Sequence, residues 1–379
     1  MTNLTLSQKL VILCAFLLLI AMLGPNGIRK EAKNQTARAN EHAQITNPNC
    51  KPYEHRQVKR WLNKKPAVVN IFTINPKATN VIIKPSYGSY FLNNVKRVSK
   101  IVHLEKALAG INASYFKPDI GTPLGVSIID GKVLTGPLYN RVVFGITENN
   151  EFKIDKITLD GDIFIGNRIK LKLYNLNQPA FSNTKYTIFT DRWGNHTPKT
   201  SPHYSHIVVE NNKVKYIKNS SVPIPRNGYV IVGPHSKLPK YIQKNDVVSY
   251  TVKVLPESWK DVKYAVGGGS YLVKNGKPFI DDEKFPNSFL WHKAPRTAVG
   301  YTKSGTLIFV TIDGRQKGVS EGATMSELAQ IMWELGAYNA MNLDGGTSTQ
   351  MVVNGKLVNN PNVKGGCKVT NALVIVLPE

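Results

Sequence analysis

Short apolar runs separated by turn residues fill the chain after residue 66 and predict a domain built mainly from β-strands. The apolar stretches at 67–73, 80–83 and 306–312 have the length of strands. Asp-Gly and Asn-Gly pairs interrupt the segments 127–134, 272–276 and 351–358, which predicts hairpins there because these dipeptides suit tight turns between strands.

Helical periodicity is confined to two places. A short helix is predicted at 104–108, ending before Gly110, and a longer one at 325–335. In the longer segment Thr324 and Glu327 form a capping-box pattern, and the apolar positions recur on one helical face. Many strands and few helices favour an α+β fold with mixed, largely antiparallel sheets.

The amino terminus differs from the rest of the chain. Fourteen apolar residues at 10–23 follow Lys9 and are typical of a signal-peptide core or a short anchor, with a buried helix as the alternative. We therefore predict a signal peptide or membrane anchor at 1–24, a basic linker at 25–66 and the domain at 67–379, with the protein secreted or anchored facing the extracytoplasmic side. There Cys50 and Cys367 could pair, or both could stay thiols.

The charge balance is strongly basic. Lys and Arg number 49 against 25 Asp and Glu, a net charge of +24, but only 11 of the basic residues are Arg. Because no nucleic-acid-binding motif accompanies this charge, we expect no nucleic-acid partner and instead a surface that attracts an anionic polymer or lipid. Three cysteines exclude a disulfide scaffold and a four-cysteine zinc site.

Four segments carry residues suited to chemistry: 110–116, 294–300, 308–316 and 341–349. Two of them are apolar strands that end in an aspartate, and the last continues into glycines and hydroxyl residues. The candidate side chains are Asn112, Arg296, Asp313, Arg315, Asn342, Asp344, Gly345, Gly346, Thr347 and Ser348.

These residue types fit a phosphate ester of a sugar. Glycine-rich turns bring backbone N–H groups close to an anion, and arginine offers a planar fork for phosphate oxygens. Two carboxylates are the pair that glycoside hydrolysis usually needs. Phosphate leaves readily, so stabilising its charge matters more than protonating it.

Structural interpretations stay open for several of these residues. Asp313-Gly314 could be an ordinary turn, Asn112 a capping residue, and Arg296 one half of an ion pair with either aspartate. His203 and His206 lie on a polar segment and do not predict zinc. We expect neither a metal nor another cofactor.

Several spaced motifs resemble the phosphodiester glycosidase family. They are Pro295 to Gly300, Asp313 to Gln316, Ser320, Glu327 to Ala329, Leu335 to Ala337 and Asn342 to Ser348, with weaker similarity at Gly110 to Phe116, Pro123 to Gly125 and Ala265 to Gly269. The similarity spans roughly 67–379 and is dense only after residue 290. Thr347 departs from the family pattern, which usually has a third glycine there.

The resemblance implies a hydrolase that cleaves a sugar-1-phosphodiester, in exopolysaccharide or cell-wall glycan metabolism. In that hypothesis Asp344, Asp313 and Arg296 form the catalytic set, with the two aspartates as base or nucleophile and as acid. Arg315 joins Arg296 on the phosphate, and Asn112 and Asn342 orient the substrate. A binding module for anionic polysaccharide and a metal-dependent phosphodiesterase are the alternatives.

Overall fold

The structure, a computed structural model, describes residues 53–281 and 283–378. Within these ranges the helices are α1 Val98–Leu104, α2 Asn287–Trp291 and α3 Met325–Glu334. The strands are β1 Tyr53–Leu62, β2 Lys65–Ile74, β3 Ile82–Ser86, β4 Ala109–Asn112, β5 Ser127–Ile129, β6 Lys132–Thr135, β7 Val142–Thr147, β8 Phe152–Lys156, β9 Thr158–Asp160, β10 Asp162–Ile165, β11 Ile169–Leu176, β12 Tyr186–Thr190, β13 Tyr204–Glu210, β14 Lys213–Lys218, β15 Gly228–Pro234, β16 Val248–Tyr250, β17 Lys253–Leu255, β18 Val262–Gly267, β19 Tyr271–Lys274, β20 Lys277–Pro278, β21 Arg296–Thr302, β22 Leu307–Ile312, β23 Ala337–Asn342, β24 Met351–Val353, β25 Lys356–Leu357 and β26 Ala372–Val376.

Most of these strands form four sheets. Sheet 1 has the order β1-β2-β22-β21-β23-β19-β20, and sheet 2 the order β25-β24-β4-β26-β3. Sheet 3 has the order β6-β5-β18-β7-β8, and sheet 4 the order β14-β13-β15-β12-β11-β10-β16. The pairing is antiparallel apart from β11 with β12, so the α+β label fits this strand-rich fold only loosely.

One large apolar core joins sheets 1, 2 and 3. Phe72 and Phe309 of sheet 1 have ring centroids 6.2 Å apart. Ile111 of sheet 2 and Phe144 of sheet 3 belong to the same cluster, and none of the four is more than 1% exposed. Burying side chains of this size contributes about 1.5–3 kcal/mol each, which fixes the ends of β4, β21 and β23 against one another.

The predicted linker at 25–66 extends too far toward the carboxyl terminus. Residues 53–62 form β1, which pairs along its whole length with β2, and Asn63 and Lys64 make the turn with positive φ. The sequence pattern did not predict this strand because an edge strand can carry many charged side chains. The rest of the linker and the predicted segment at 1–24 lie outside the described residues, as does Cys50, and Cys367 forms no disulfide within the described ranges.

The predicted hairpins at 127–134, 272–276 and 351–358 are confirmed, as is the long helix, α3. In its capping box the Thr324 amide donates to Glu327 Oε2 at 2.9 Å and the Glu327 amide to Thr324 Oγ1 at 3.2 Å. The short helix predicted at 104–108 is wrong. It lies upstream, as α1, because the apolar positions that pack it precede 104, and the Leu108 amide already donates to Ile375 in β26 of sheet 2.

No helix within 53–281 and 283–378 has the length and apolar character needed to span a membrane.

Candidate active site

A glycine-rich turn follows β23 and is fixed on the start of β21. Gly346 has a φ of +62°, in the left-handed region that favours glycine. Its amide donates to the Pro295 carbonyl at 2.8 Å. A Cβ on Gly345 would lie only 2.8 Å from the same carbonyl oxygen, so the close approach requires glycine. Thr347 is exposed and Ser348 buried on this turn.

Asp344 stands between β23 and the turn, and its carboxyl group is poorly solvated. Its Oδ1 accepts a hydrogen bond from the Gly345 amide at 3.0 Å, and Ser348 provides a second one. Desolvation outweighs both and raises the pKa of Asp344 from 3.8 to about 7. A carboxyl group with this pKa can accept or release a proton near neutral pH.

Asn112, at the end of β4, ties sheet 2 to the aspartate. Its Nδ2 donates to the main-chain carbonyl of Asp344 at 2.6 Å. Its Oδ1 accepts from Thr297 Oγ1 at 2.8 Å and from the Gln350 amide at 3.0 Å. The predicted convergence of 110–116 with 341–349 is therefore observed, with Asn112 as a buried positioning group.

Asn342 is held from the opposite side. Its Nδ2 lies 2.6 Å from Tyr115 Oη and 2.8 Å from the Gly269 carbonyl, and the Tyr115 hydroxyl donates to the same carbonyl at 2.7 Å. The Asn342 Oδ1 is buried without a hydrogen-bond partner. Among the described residues, the Asn342 side chain is thus held in place by its amide nitrogen alone.

Arg296 begins β21 and is not ion-paired to an aspartate, so that alternative is wrong. Its Nε donates to the Ala323 carbonyl at 2.9 Å, and its Nη2 lies 2.8 Å from the carbonyls of Phe289 and His292. None of the hydrogen bonds of the described residues uses Nη1. Burial lowers the pKa of this guanidinium.

Arg315 approaches the glycine-rich turn from a left-handed residue with a φ of +60°. Its Nη2 would be 3.3 Å from a Cβ on Gly346, so the guanidinium covers that turn. The positive charge of Arg315 also lowers the pKa of Arg296. The Arg315 guanidinium gives this turn a positive charge that suits an anion, while the Arg296 backbone lies against Gly345.

The Asp313 carboxyl group bonds to a loop separate from the glycine-rich turn. Its Oδ1 accepts from Asn359 Nδ2 at 2.9 Å, and both of its carboxyl oxygens lie 3.0 Å from the Asn360 amide. Burial raises the pKa of Asp313 despite these bonds. The carboxyl group fixes the 359–360 loop, and neither Asp344 nor an arginine is among the groups that shift its pKa.

Sequence reasoning missed an aromatic cluster beside the site. Phe285 and Phe289 stack with centroids 4.3 Å apart, and the Tyr115 ring contacts both. Arg141 and Arg296 each lie over one of the two phenylalanines. The spacing of Phe285 and Phe289, one helical turn apart, was the available signal.

Metal-ligating chemistry has little support among the described residues, since no group of three or more His, Cys, Asp or Glu side chains comes together there. His206, one of the two histidines considered for zinc, is buried, and its ring nitrogens lie 3.0 and 2.8 Å from the hydroxyls of Thr197 and Thr200.

Comparison with known proteins gives concordant matches. Residues 204–376 match the family model described as phosphodiester glycosidase. A prophage-derived protein of Bacillus subtilis, YomE, is 33% identical over 126 residues, which are 32% of this chain and 18% of that protein. The bovine N-acetylglucosamine-1-phosphodiester α-N-acetylglucosaminidase is 25% identical over 156 residues, 38% of this chain and 26% of that protein. The chain thus spans about a quarter or less of these relatives' length.

Solved structures share the fold. A hypothetical protein from Synechocystis has a TM-score of 0.79 at 24% identity, over 87% of this chain and 63% of that one. The catalytic domain of the zebrafish N-acetylglucosamine-1-phosphodiester α-N-acetylglucosaminidase has a TM-score of 0.50 at 18% identity, over 86% of this chain and 84% of that one.

Proposed function

We propose that the chain, whose residues 204–376 match the phosphodiester glycosidase family model, is a member of that family and hydrolyses a sugar-1-phosphodiester between the sugar carbon and the phosphate oxygen. One arrangement of side chains carries the proposal. Asp344, with a pKa of about 7, immediately precedes a glycine-rich turn that Arg315 covers and that rests on the residue before Arg296.

The proposed reaction needs one carboxylate and one cationic pocket. Asp344 takes a proton from water, the water oxygen bonds to the anomeric carbon, and the carbon–oxygen bond to phosphate breaks with its electron pair leaving on phosphate. The free Nη1 of Arg296 and the guanidinium of Arg315 stabilise the departing charge, so no acid is needed at the leaving oxygen.

The other predicted residues take supporting roles in this proposal. Asn112 fixes the main chain at Asp344, and Asn342, held by Tyr115 and the Gly269 carbonyl, orients the segment that carries Asp344 toward the sugar. The turn that contacts the phosphate in this proposal consists of Gly345, Gly346, Thr347 and Ser348. Asp313, for which we hypothesised a catalytic role, acts as a structural residue because Asn359 and Asn360 occupy its carboxyl oxygens.

The biological setting is a further part of the proposal. A net charge of +24 favours an anionic substrate, so we propose a phosphate-linked exopolysaccharide or cell-wall glycan, met outside the cytoplasm by a secreted or membrane-anchored protein.

The test is hydrolysis of a panel of sugar-1-phosphodiesters and nucleotide sugars in ¹⁸O-labelled water. We expect the label in the sugar and not in the phosphate. Asp344→Asn should lower turnover at least a hundredfold, whereas Asp313→Asn, the matched control, should stay within a few-fold of the parent protein. Label in phosphate with chelator-sensitive turnover would instead establish a metal-dependent phosphodiesterase, and glycan binding without turnover a binding module.

A further inference from the structure

Arg141 is a half-buried cation held almost entirely by aromatic rings. It follows a turn in which Tyr139 and Asn140 have positive φ, and it immediately precedes β7. Its guanidinium carbon lies 3.7 Å from the centroid of Phe285, 4.9 Å from that of Tyr139 and 5.5 Å from that of Tyr115. Such contacts attract a cation but leave its N–H donors unused.

No hydrogen bond or ion pair joins the Arg141 side chain to another of the described residues, and its Nε is buried without a partner. The acidic group that faces it is Glu283, which lies outside ion-pair distance. The Glu283 carboxyl oxygens instead lie 3.3 Å from the amides of Val142 and Tyr271. Burial raises the pKa of Glu283 to about 7, so this group neutralises Arg141 only in part at neutral pH.

Arg141 and the proposed phosphate site adjoin the same aromatic cluster. Arg296 lies 5.0 Å from the centroid of Phe289, which stacks on Phe285 at 4.3 Å. Together with the distance from Phe285 to Arg141, these separations place the two guanidinium carbons no more than about 13 Å apart. Both cations, and Asp344, influence the pKa of the Tyr115 hydroxyl, so the two sites meet at that side chain.

We propose that Arg141 binds a second oxyanion of the substrate, from a guanidinium whose carbon lies no more than about 13 Å from that of Arg296. The inference rests on the proposed function and narrows its substrate class to sugar phosphodiesters that carry another negative charge. A phosphate of a repeating phosphate-linked glycan and a carboxylate of an acidic sugar share this chemistry. The N–H donors of the two terminal nitrogens of Arg141, in partly desolvated surroundings, would make strong, charge-assisted hydrogen bonds to either group.

The kinetic test compares matched substrates. A sugar-1-phosphodiester with a neutral aglycone is assayed against the same compound with a second phosphate or a carboxylate, placed either on the aglycone or on the sugar. We expect kcat/KM to be at least tenfold higher for a doubly charged substrate, and Arg141→Gln to abolish that preference while changing kcat/KM for the neutral substrate less than threefold. The arm with the larger preference identifies phosphate or carboxylate as the anion.

Two further variants control for charge and packing. Arg192→Gln removes an arginine that also lies over a ring, Tyr90 at 4.5 Å, and that also has a buried, unpartnered Nε. It should keep the preference for double charge. Arg141→Lys keeps the cation and should retain part of the preference, whereas a purely structural role would lower activity on all substrates alike.

Binding provides a readout that does not depend on turnover. Titration calorimetry compares the parent protein with Arg141→Gln, using inorganic phosphate and propane-1,3-diol bisphosphate as probes. The variant should bind the bisphosphate about tenfold more weakly or worse and should bind phosphate as the parent does. Equal kcat/KM for singly and doubly charged substrates, or an equal loss on both in Arg141→Gln, would overturn the inference while the proposed function stood. Absence of hydrolysis with bisphosphate binding intact would overturn the proposed function alone.

Discussion

Replacing Asp344 by asparagine is expected to remove activity and at the same time stabilise the fold. The substitution keeps the shape of the side chain and the oxygen that accepts from the Gly345 amide. It removes a carboxylate that the protein holds in poorly solvated surroundings. Loss of the group that accepts the proton lowers kcat, and loss of the buried negative charge raises the free energy of unfolding.

The magnitude of the stabilisation follows from the pKa. A tenfold change in proton affinity is worth about 1.4 kcal/mol, so the rise from 3.8 to about 7 corresponds to roughly 4 kcal/mol for the ionised form. Because Asp344 is partly exposed, we discount this value to about 2–3 kcal/mol. A change of that size raises the melting temperature of a protein this large by a few degrees.

The sign of the pH dependence is fixed by the same shift. A carboxyl group whose pKa is raised on folding destabilises the folded state as pH climbs from about 4 to 7, and the full penalty is present above pH 7. Thermal unfolding of the parent protein and Asp344→Asn should therefore differ little at pH 4, more at pH 5 and most at pH 8. An asparagine variant that melts at or below the parent temperature at pH 8 would refute a desolvated carboxylate at this position.

Three further substitutions test the remaining parts of the site. Asp313→Ala should lower the free energy of unfolding by about 2–4 kcal/mol in denaturant titrations, because it leaves buried donors unpaired, while kcat of the folded protein changes little; a large loss of kcat at unchanged stability would return Asp313 to the catalytic set. Gly345→Ala places a Cβ 2.8 Å from the Pro295 carbonyl and should reduce kcat/KM at least tenfold by displacing the turn, so full activity would contradict the close approach. Tyr115→Phe removes the hydroxyl that contacts Asn342, and we expect kcat to fall about tenfold and the free energy of unfolding to fall by about 1 kcal/mol. Both quantities are measured on one preparation, and an unchanged kcat would show that the hydroxyl does not position the site.

Local patterns predicted local structure well. The helix α3 was predictable because its capping residues and its apolar face lie within a dozen positions of one another. The hairpin turns were predictable because Asp130 and Asn354 precede glycines, and both adopt the positive φ that such turns require. The edge strand β1 was not, because its charged side chains resemble those of a linker.

Part of the candidate site was predictable from the sequence, and the roles of its residues were less so. Asp344 and Asn112 come together as expected, because Asn112 ends β4, Asp344 closely follows β23, and the apolar residues of both strands share one core. The roles of Arg296 and Asp313 depend on backbone carbonyls and on Asn359, which the sequence does not connect to them. Arg141 lies in a segment without any motif, and only the fold brings it to Phe285.

Sheets 1 and 2 each combine strands that lie far apart in the sequence, and this limits how the protein can be divided into fragments. The stretch that matches the family model, 204–376, contains neither β2 nor β4, yet β2 is an inner strand of sheet 1 and β4 of sheet 2. Expressed alone, that stretch would have β22 as a new edge of sheet 1, a gap between β24 and β26 in sheet 2, and no Asn112 to hold the aspartate. The proposed activity should therefore need strands from both ends of the described chain and be absent from that fragment.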